Sequence, residues 1–144
     1  MKRILTMIIL SGAFLLAACG GAATPKEIQG EKISLPEGGS YTNISVSDLE
    51  VMMQDKDFTL VNVHVPFAGN IPKTDLSIPF DQIADNLEQL PADKNAKIVL
   101  YCRSGSMSSI AAKTLVRLGY TNIWNLDGGF NAWKAAGNPL EQTP

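Results

Sequence analysis

Lys97-Ile98-Val99-Leu100-Tyr101 carries four successive apolar residues, and Cys102-Arg103-Ser104-Gly105-Ser106-Met107 follows at once. A strand with no polar face must be covered on both sides, which is the situation of a parallel strand between two layers of helices. The small and polar residues after it turn the chain, and the spacing then predicts a helix from about Ser108 to Leu118, stopped by Gly119. Strand, loop and helix in that order predict an α/β fold.

The rest of the chain repeats the alternation. Tyr41 to Ile44 predicts a short strand, and Ser47-Asp48-Leu49-Glu50 has capping-box spacing for a helix towards Gln54. Phe58 to His64 predicts a buried strand, and Leu76 to Ile78 a very short one. Asp81 caps an expected helix with Ile83, Ala84, Leu87 and Leu90 on one face, ended by Pro91. Ile123 to Leu126 reads as a strand, Asp127-Gly128-Gly129 as a turn braced by the Asp127 carboxylate, and Phe130 to Ala136 as a last helix. Trp124 and Trp133 read as core residues. The expected architecture is a three-layer sandwich with a mostly parallel sheet of about five strands and helices on both faces.

A length of 144 residues at 45% hydrophobic content suits one domain of ordinary size. Twelve Lys+Arg against fourteen Asp+Glu leave no basic excess for a phosphate backbone, so no nucleic-acid partner is expected. Two cysteines exclude a disulfide-rich scaffold and leave one bridge, two ligands or two separate roles. No metal site is expected from the single histidine, and no cofactor.

Lys2 and Arg3 precede an apolar run from Ile4 to Ala18, shorter than the about 20 residues of a membrane-spanning helix. This is the pattern of a cleaved signal over residues 1–18. Leu16-Ala17-Ala18-Cys19 resembles the bacterial lipobox, which implies that Cys19 is acylated and anchors an extracytoplasmic protein to the envelope. Gly20 after it is compatible with outer-membrane sorting in a didermal host. Residues 19–40, rich in Gly, Pro and charge, read as a flexible tether, 41–138 as the folded domain and 139–144 as a tail.

Cys102 falls where open α/β sheets put their ligand sites, at the carboxyl end of a strand. Backbone N–H groups of the loop and the start of a helix favour negative charge there, so the thiol is expected to ionise below the free value of about 8.5. That makes Cys102 a candidate nucleophile and the loop a candidate anion site. A buried, inert cysteine is the structural alternative.

Tyr101-Cys102-Arg103-Ser104-Gly105-Ser106 resembles the active-site loop of the rhodanese family of single-domain sulfurtransferases. Gly119-Tyr120, Leu126-Asp127-Gly128-Gly129-Phe130, Ala132-Trp133 and Ala136-Gly137-Asn138-Pro139 are similar to its C-terminal pattern. Leu60 to His64 and Gly69-Asn70-Ile71-Pro72 match its N-terminal pattern more loosely. The resemblance implies the rhodanese-like sandwich and a two-step transfer through a Cys102 persulfide. A small anionic sulfur donor such as thiosulfate would load it, a thiol or cyanide would accept the sulfur, and a thioredoxin-like reductant could keep the thiol reduced. Arg103, Ser104, Gly105, Ser106, Met107 and His64 become substrate-binding candidates, with Arg103 otherwise a solvated charge and His64 otherwise a structural hydrogen bonder. Three departures stand out: Met107 replaces an arginine, Asn62-Val63-His64 replaces Asp-Val-Arg, and Asn70 replaces a histidine. They keep open a non-catalytic carrier or protein-binding module. A Cys-based phosphatase or arsenate reductase is disfavoured, because Ser108 stands where its anion-clamping arginine would be.

Overall fold

Ile98–Tyr101 is buried at every position in the computed structural model, which describes residues 28–143. This strand, β5, lies inside a six-stranded sheet with β1 (Glu31–Ser34), β2 (Ser40–Ile44), β3 (Thr59–Asn62), β4 (Leu76–Ser77) and β6 (Ile123–Leu126). The order is β1-β2-β6-β5-β3-β4, and every pair is parallel except the antiparallel β1 and β2. Helices α1 (Val46–Met52), α2 (Ser106–Arg117) and α3 (Gly129–Ala135) complete the sandwich.

Alternation along the strands builds two cores. Val61, Ile98 and Leu100 face Ala111, Ala112 and Leu115 of α2. Leu60, Val99, Tyr101 and Leu126 face Leu49 of α1 and Phe130 and Trp133 of α3. Each fully buried Leu, Val or Ile contributes about 1.5–3 kcal/mol, so β5 alone supplies several.

Four local readings change. The residues read as tether include β1, whose Glu31 and Ser34 pair with Asn43 and Ser40. Only Ile33 and Leu35 face the core there, enough to fasten an edge strand whose other residues are solvated. This gives six strands in place of five. The first helix is capped two residues earlier than expected: Ser45, not Ser47, accepts from the Asp48 N–H, and Asp48 accepts from the Ser45 N–H. The segment after Asp81 forms two 3-10 turns, Ile83–Asp85 and Leu87–Gln89, in place of one helix. Asn86 between them donates its side-chain amide to the Gln82 carbonyl, a local bond that competes with the helical ladder. The 139–144 segment is not a loose tail over its described length, since Glu141 exchanges two backbone hydrogen bonds with Asn70 and the Pro139 carbonyl accepts from the Trp133 indole.

Strands β2, β3, β5 and β6 run in one direction, so their carboxyl ends share one edge of the sheet. Glu31, paired with Asn43 near the end of β2, places the start of β1 at that same edge.

Candidate active site

Cys102 follows β5 at this edge and is 1% exposed. Its Sγ accepts hydrogen bonds from the Gly105 N–H at 3.1 Å and the Ser108 hydroxyl at 3.5 Å. Gly105 takes φ of +93° to cap α2, a conformation that costs a side-chain-bearing residue about 1–2 kcal/mol. That turn folds the loop around the sulfur.

The loop's carbonyls are held from outside. The first N–H groups of α3, which lack helical partners, reach across: Phe130 donates to the Cys102 carbonyl at 2.9 Å and Asn131 to the Arg103 carbonyl at 3.0 Å. With these oxygens drawn outward, N–H groups of the loop are left for the sulfur. Burial pushes the Cys102 thiol pKa up, but the Ser108 hydroxyl and the N–H groups of Ser108, Ser104 and Gly105 outweigh it, and the net shift is downward. No charged side chain contributes to the lowering.

The loop gathers most of the expected residues. Arg103, Ser104 and Ser106 are exposed on its rim, and Gly105 is buried beneath. Met107 does not join them; its thioether packs against the α2-side core, where an apolar chain is better placed than at an anion site. His64 flanks the loop, buried, with its ring edge-on to Phe130 at 5.5 Å between centroids. Its pKa is lowered by burial first and by the Arg103 charge second, so the imidazole is neutral at pH 7. Its Nδ1 has no hydrogen-bond partner among the described residues.

Asn62 and Asn70 belong to the frame. The Asn62 amide donates to Asn70 Oδ1 at 2.9 Å and to the Gly69 carbonyl, while its Oδ1 accepts from the His64 N–H. The Tyr101 hydroxyl also donates to Asn70 Oδ1 and accepts from the Ile71 N–H; burial pushes its pKa up to about 12. The two departures from the family pattern are thus partners in one neutral network. Asp127 braces its turn as expected, accepting from the Gly128 N–H. Among the described residues no group of three metal-ligating side chains occurs, and Cys19 lies outside them.

Two contributors are absent from the sequence-based candidates: Ser108, and the α3 start at Gly129-Phe130-Asn131. Ser108 is fully buried, in contrast to the exposed Ser104 and Ser106. Its only signal is a position in the first turn of the helix after the cysteine loop. Ser108→Ala is expected to raise the thiol pKa by removing a donor to the thiolate. Reaction of Cys102 with a small alkylating reagent should slow about tenfold at pH 7, with the midpoint of its pH profile moved upward. An unchanged midpoint would show that the hydroxyl serves only the Gly105 carbonyl, its other partner at 3.2 Å.

A rhodanese-like domain model matches residues 46–136, more than half of the chain. The chain belongs to the rhodanese-like family. A sulfurtransferase of Allochromatium vinosum is 35% identical over 88 residues, covering 59% of this chain and 79% of the relative. The thiosulfate sulfurtransferase GlpE of Vibrio cholerae is 28% identical over 103 residues, covering 70% of this chain and 95% of the relative. Among solved structures, the rhodanese-related protein of Thermoplasma volcanium superposes with a TM-score of 0.60 at 27% identity, over 70% of this chain and 98% of that one. In this rhodanese-like domain the matched span includes α1 and α3, and with them the Cys102 loop and the clamp that holds it.

Proposed function

We propose that the protein is a sulfurtransferase that carries sulfane sulfur on Cys102. One observation carries the reading: a sulfur stabilised as thiolate at the centre of a loop whose hydrogen-bond donors point inward. The Cys102 thiolate attacks the outer sulfur of a donor such as thiosulfate. The donor's S–S bond breaks, sulfite leaves with the electron pair, and the new persulfide lies among N–H groups able to hold its charge. A thiol or cyanide then takes the outer sulfur and the thiolate returns. Sulfurtransferase relatives support this reading, and Ser108 in place of a clamping arginine weighs against phosphate-ester chemistry.

Intact-mass measurement after incubation with thiosulfate is expected to show one added sulfur atom, with sulfite or thiocyanate released over repeated turnovers. Loading without turnover would favour the carrier, and phosphate-ester hydrolysis without loading would replace the proposal. Outside the cytoplasm the thiol would meet oxidants, so a thioredoxin-like reductant is part of the reading.

Acylation at Cys19 would place the domain at a membrane, because several acyl chains anchor stably at about 0.8 kcal/mol per buried CH₂. Cys19→Ser is expected to move the protein from the membrane fraction to the soluble one or to block its processing; unchanged fractionation would remove the anchor.

A further inference from the structure

His64 holds a polar atom where the fold gains nothing from it. Strands β3 and β5 run in register with Asn62 opposite Tyr101, so continuing both chains by two residues sets His64 level with Arg103, next to the nucleophile. The backbone there is fixed without the ring: the Val63 N–H donates to the Tyr101 carbonyl and the His64 N–H to Asn62 Oδ1. The residue is 9% exposed, with the ring edge-on to Phe130, a contact that a phenyl ring would make as well. Its Nδ1 is nonetheless shut away without a partner, and a buried polar atom left unpaired costs stability.

The missing partner fixes which nitrogen carries the proton. Burial and the neighbouring charge of Arg103 keep the ring neutral, so one nitrogen is a donor and the other an acceptor. A buried N–H with no acceptor is the rarer and costlier orphan, so Nδ1 is the bare nitrogen and Nε2 carries the hydrogen. Among the described residues none bonds Nε2, and Nδ1 is the ring nitrogen that is both buried and unbonded, so Nε2–H is the ring's open end. His64 thus presents a neutral, rigidly held donor beside the exposed Arg103 on the loop's rim.

We infer that His64 is a catalytic residue of the sulfur-loading step, donating a hydrogen bond through Nε2–H to the donor's leaving group while Arg103 supplies the charge. This rests on the sulfurtransferase reading and adds the group that acts at the outgoing end. In an in-line displacement the leaving atom lies on the far side of the transferred sulfur from Cys102 Sγ, away from the loop's N–H groups and towards the rim. With thiosulfate, the bond from Sγ to the outer sulfur forms as the donor's S–S bond breaks, and sulfite departs with the electron pair. The total charge is unchanged, and no proton passes to or from the ring. What changes is where the charge sits: it collects on the departing oxygens, and a donor already in place there strengthens its hydrogen bond as it does so.

His64→Phe and His64→Gln test this against the wild type through three readings: thiosulfate loading followed by intact mass, alkylation of Cys102 by iodoacetamide, and melting temperature. His64→Phe keeps the edge contact with Phe130 and removes the unpaired atom, so its melting temperature is expected to hold or rise by a few degrees while loading slows about thirtyfold. Alkylation should stay within about twofold, because the donors to the thiolate are the Gly105 N–H and the Ser108 hydroxyl. His64→Gln, whose amide nitrogen reaches about as far as Nε2, is expected to recover most of the lost loading. A Gln variant as slow as the Phe variant would overturn the donor role, as would loading and alkylation slowed alike, which would place the ring's effect on the thiolate. A melting temperature lowered by more than about 10 °C in His64→Phe would show that the ring serves the fold and overturn it too. Unaltered loading in that variant would remove His64 from the step, whereas no loading in the wild type would overturn the sulfurtransferase reading itself.

Discussion

Cys102→Ser is expected to abolish sulfur loading, with no added sulfur by mass and no donor-dependent sulfite release, a loss of about three orders of magnitude or more. A serine hydroxyl in the same loop is not ionised near neutral pH and forms no persulfide. The loop should survive the exchange. The hydroxyl oxygen can accept from the Gly105 N–H as Sγ does, and α3 still holds the carbonyls of residues 102 and 103. A melting temperature within a few degrees of wild type is therefore expected, and it separates lost chemistry from lost fold. Equal loading of wild type and Cys102→Ser would move the reaction away from this residue.

The parts of the fold that rest on local pattern were legible. β5 is an apolar run of strand length and β6 is one broken only by Asn125, and α2 ends at Gly119 because glycine accepts the positive φ, here +89°, that closes a helix. Elements that rest on few or competing signals were not. β1 holds one core-facing residue, Ile33, with Leu35 just after it, among charged and polar neighbours, so its composition reads as linker; pairing with β2 supplies what its own sequence lacks. The segment after Asp81 has helical spacing of apolar residues, yet Ile83 and Leu90 reach the core equally well from 3-10 turns once Asn86 turns its side chain onto the backbone.

The candidate site divides in the same way. The place of Cys102 follows from a strand ending at a loop that leads into a helix, and Arg103, Ser104, Gly105 and Ser106 follow from adjacency. Ser108 does not, because one serine among several in the loop and first turn carries no mark of burial. The Asn62–Asn70 pairing was hidden for a different reason. Each asparagine alone reads as a lost polar anchor, and only the return of the chain at Gly69 lets one amide satisfy the other. The clamp from α3 is the least legible part, since residues 129–131 meet residues 102–103 only through tertiary packing.

That clamp makes Gly129 the position where one methyl group should do most damage. A Cβ there would overlap the Cys102 carbonyl oxygen and lie 2.7 Å from the Arg103 carbonyl carbon, both of them backbone atoms with no side-chain freedom to yield. The residue also sits at φ of +56°, which costs alanine about 1–2 kcal/mol before any contact is counted. Relief requires α3 to back away from the loop, losing the Phe130 and Asn131 hydrogen bonds at about 1 kcal/mol each. Gly129→Ala is therefore expected to cost about 3–5 kcal/mol and to lower the melting temperature by about 10–25 °C. Gly119→Ala is the matched control, because Gly119 has φ of +89° with nothing within 4 Å of its added methyl. It should cost about 1 kcal/mol and leave sulfur loading intact. If the two variants melt alike, the close approach of α3 to the loop is not what holds the carbonyls outward. If Gly129→Ala folds but loads sulfur slowly, with its thiol titrating higher than wild type, the clamp acts on the thiolate through the loop's N–H groups, as the geometry requires.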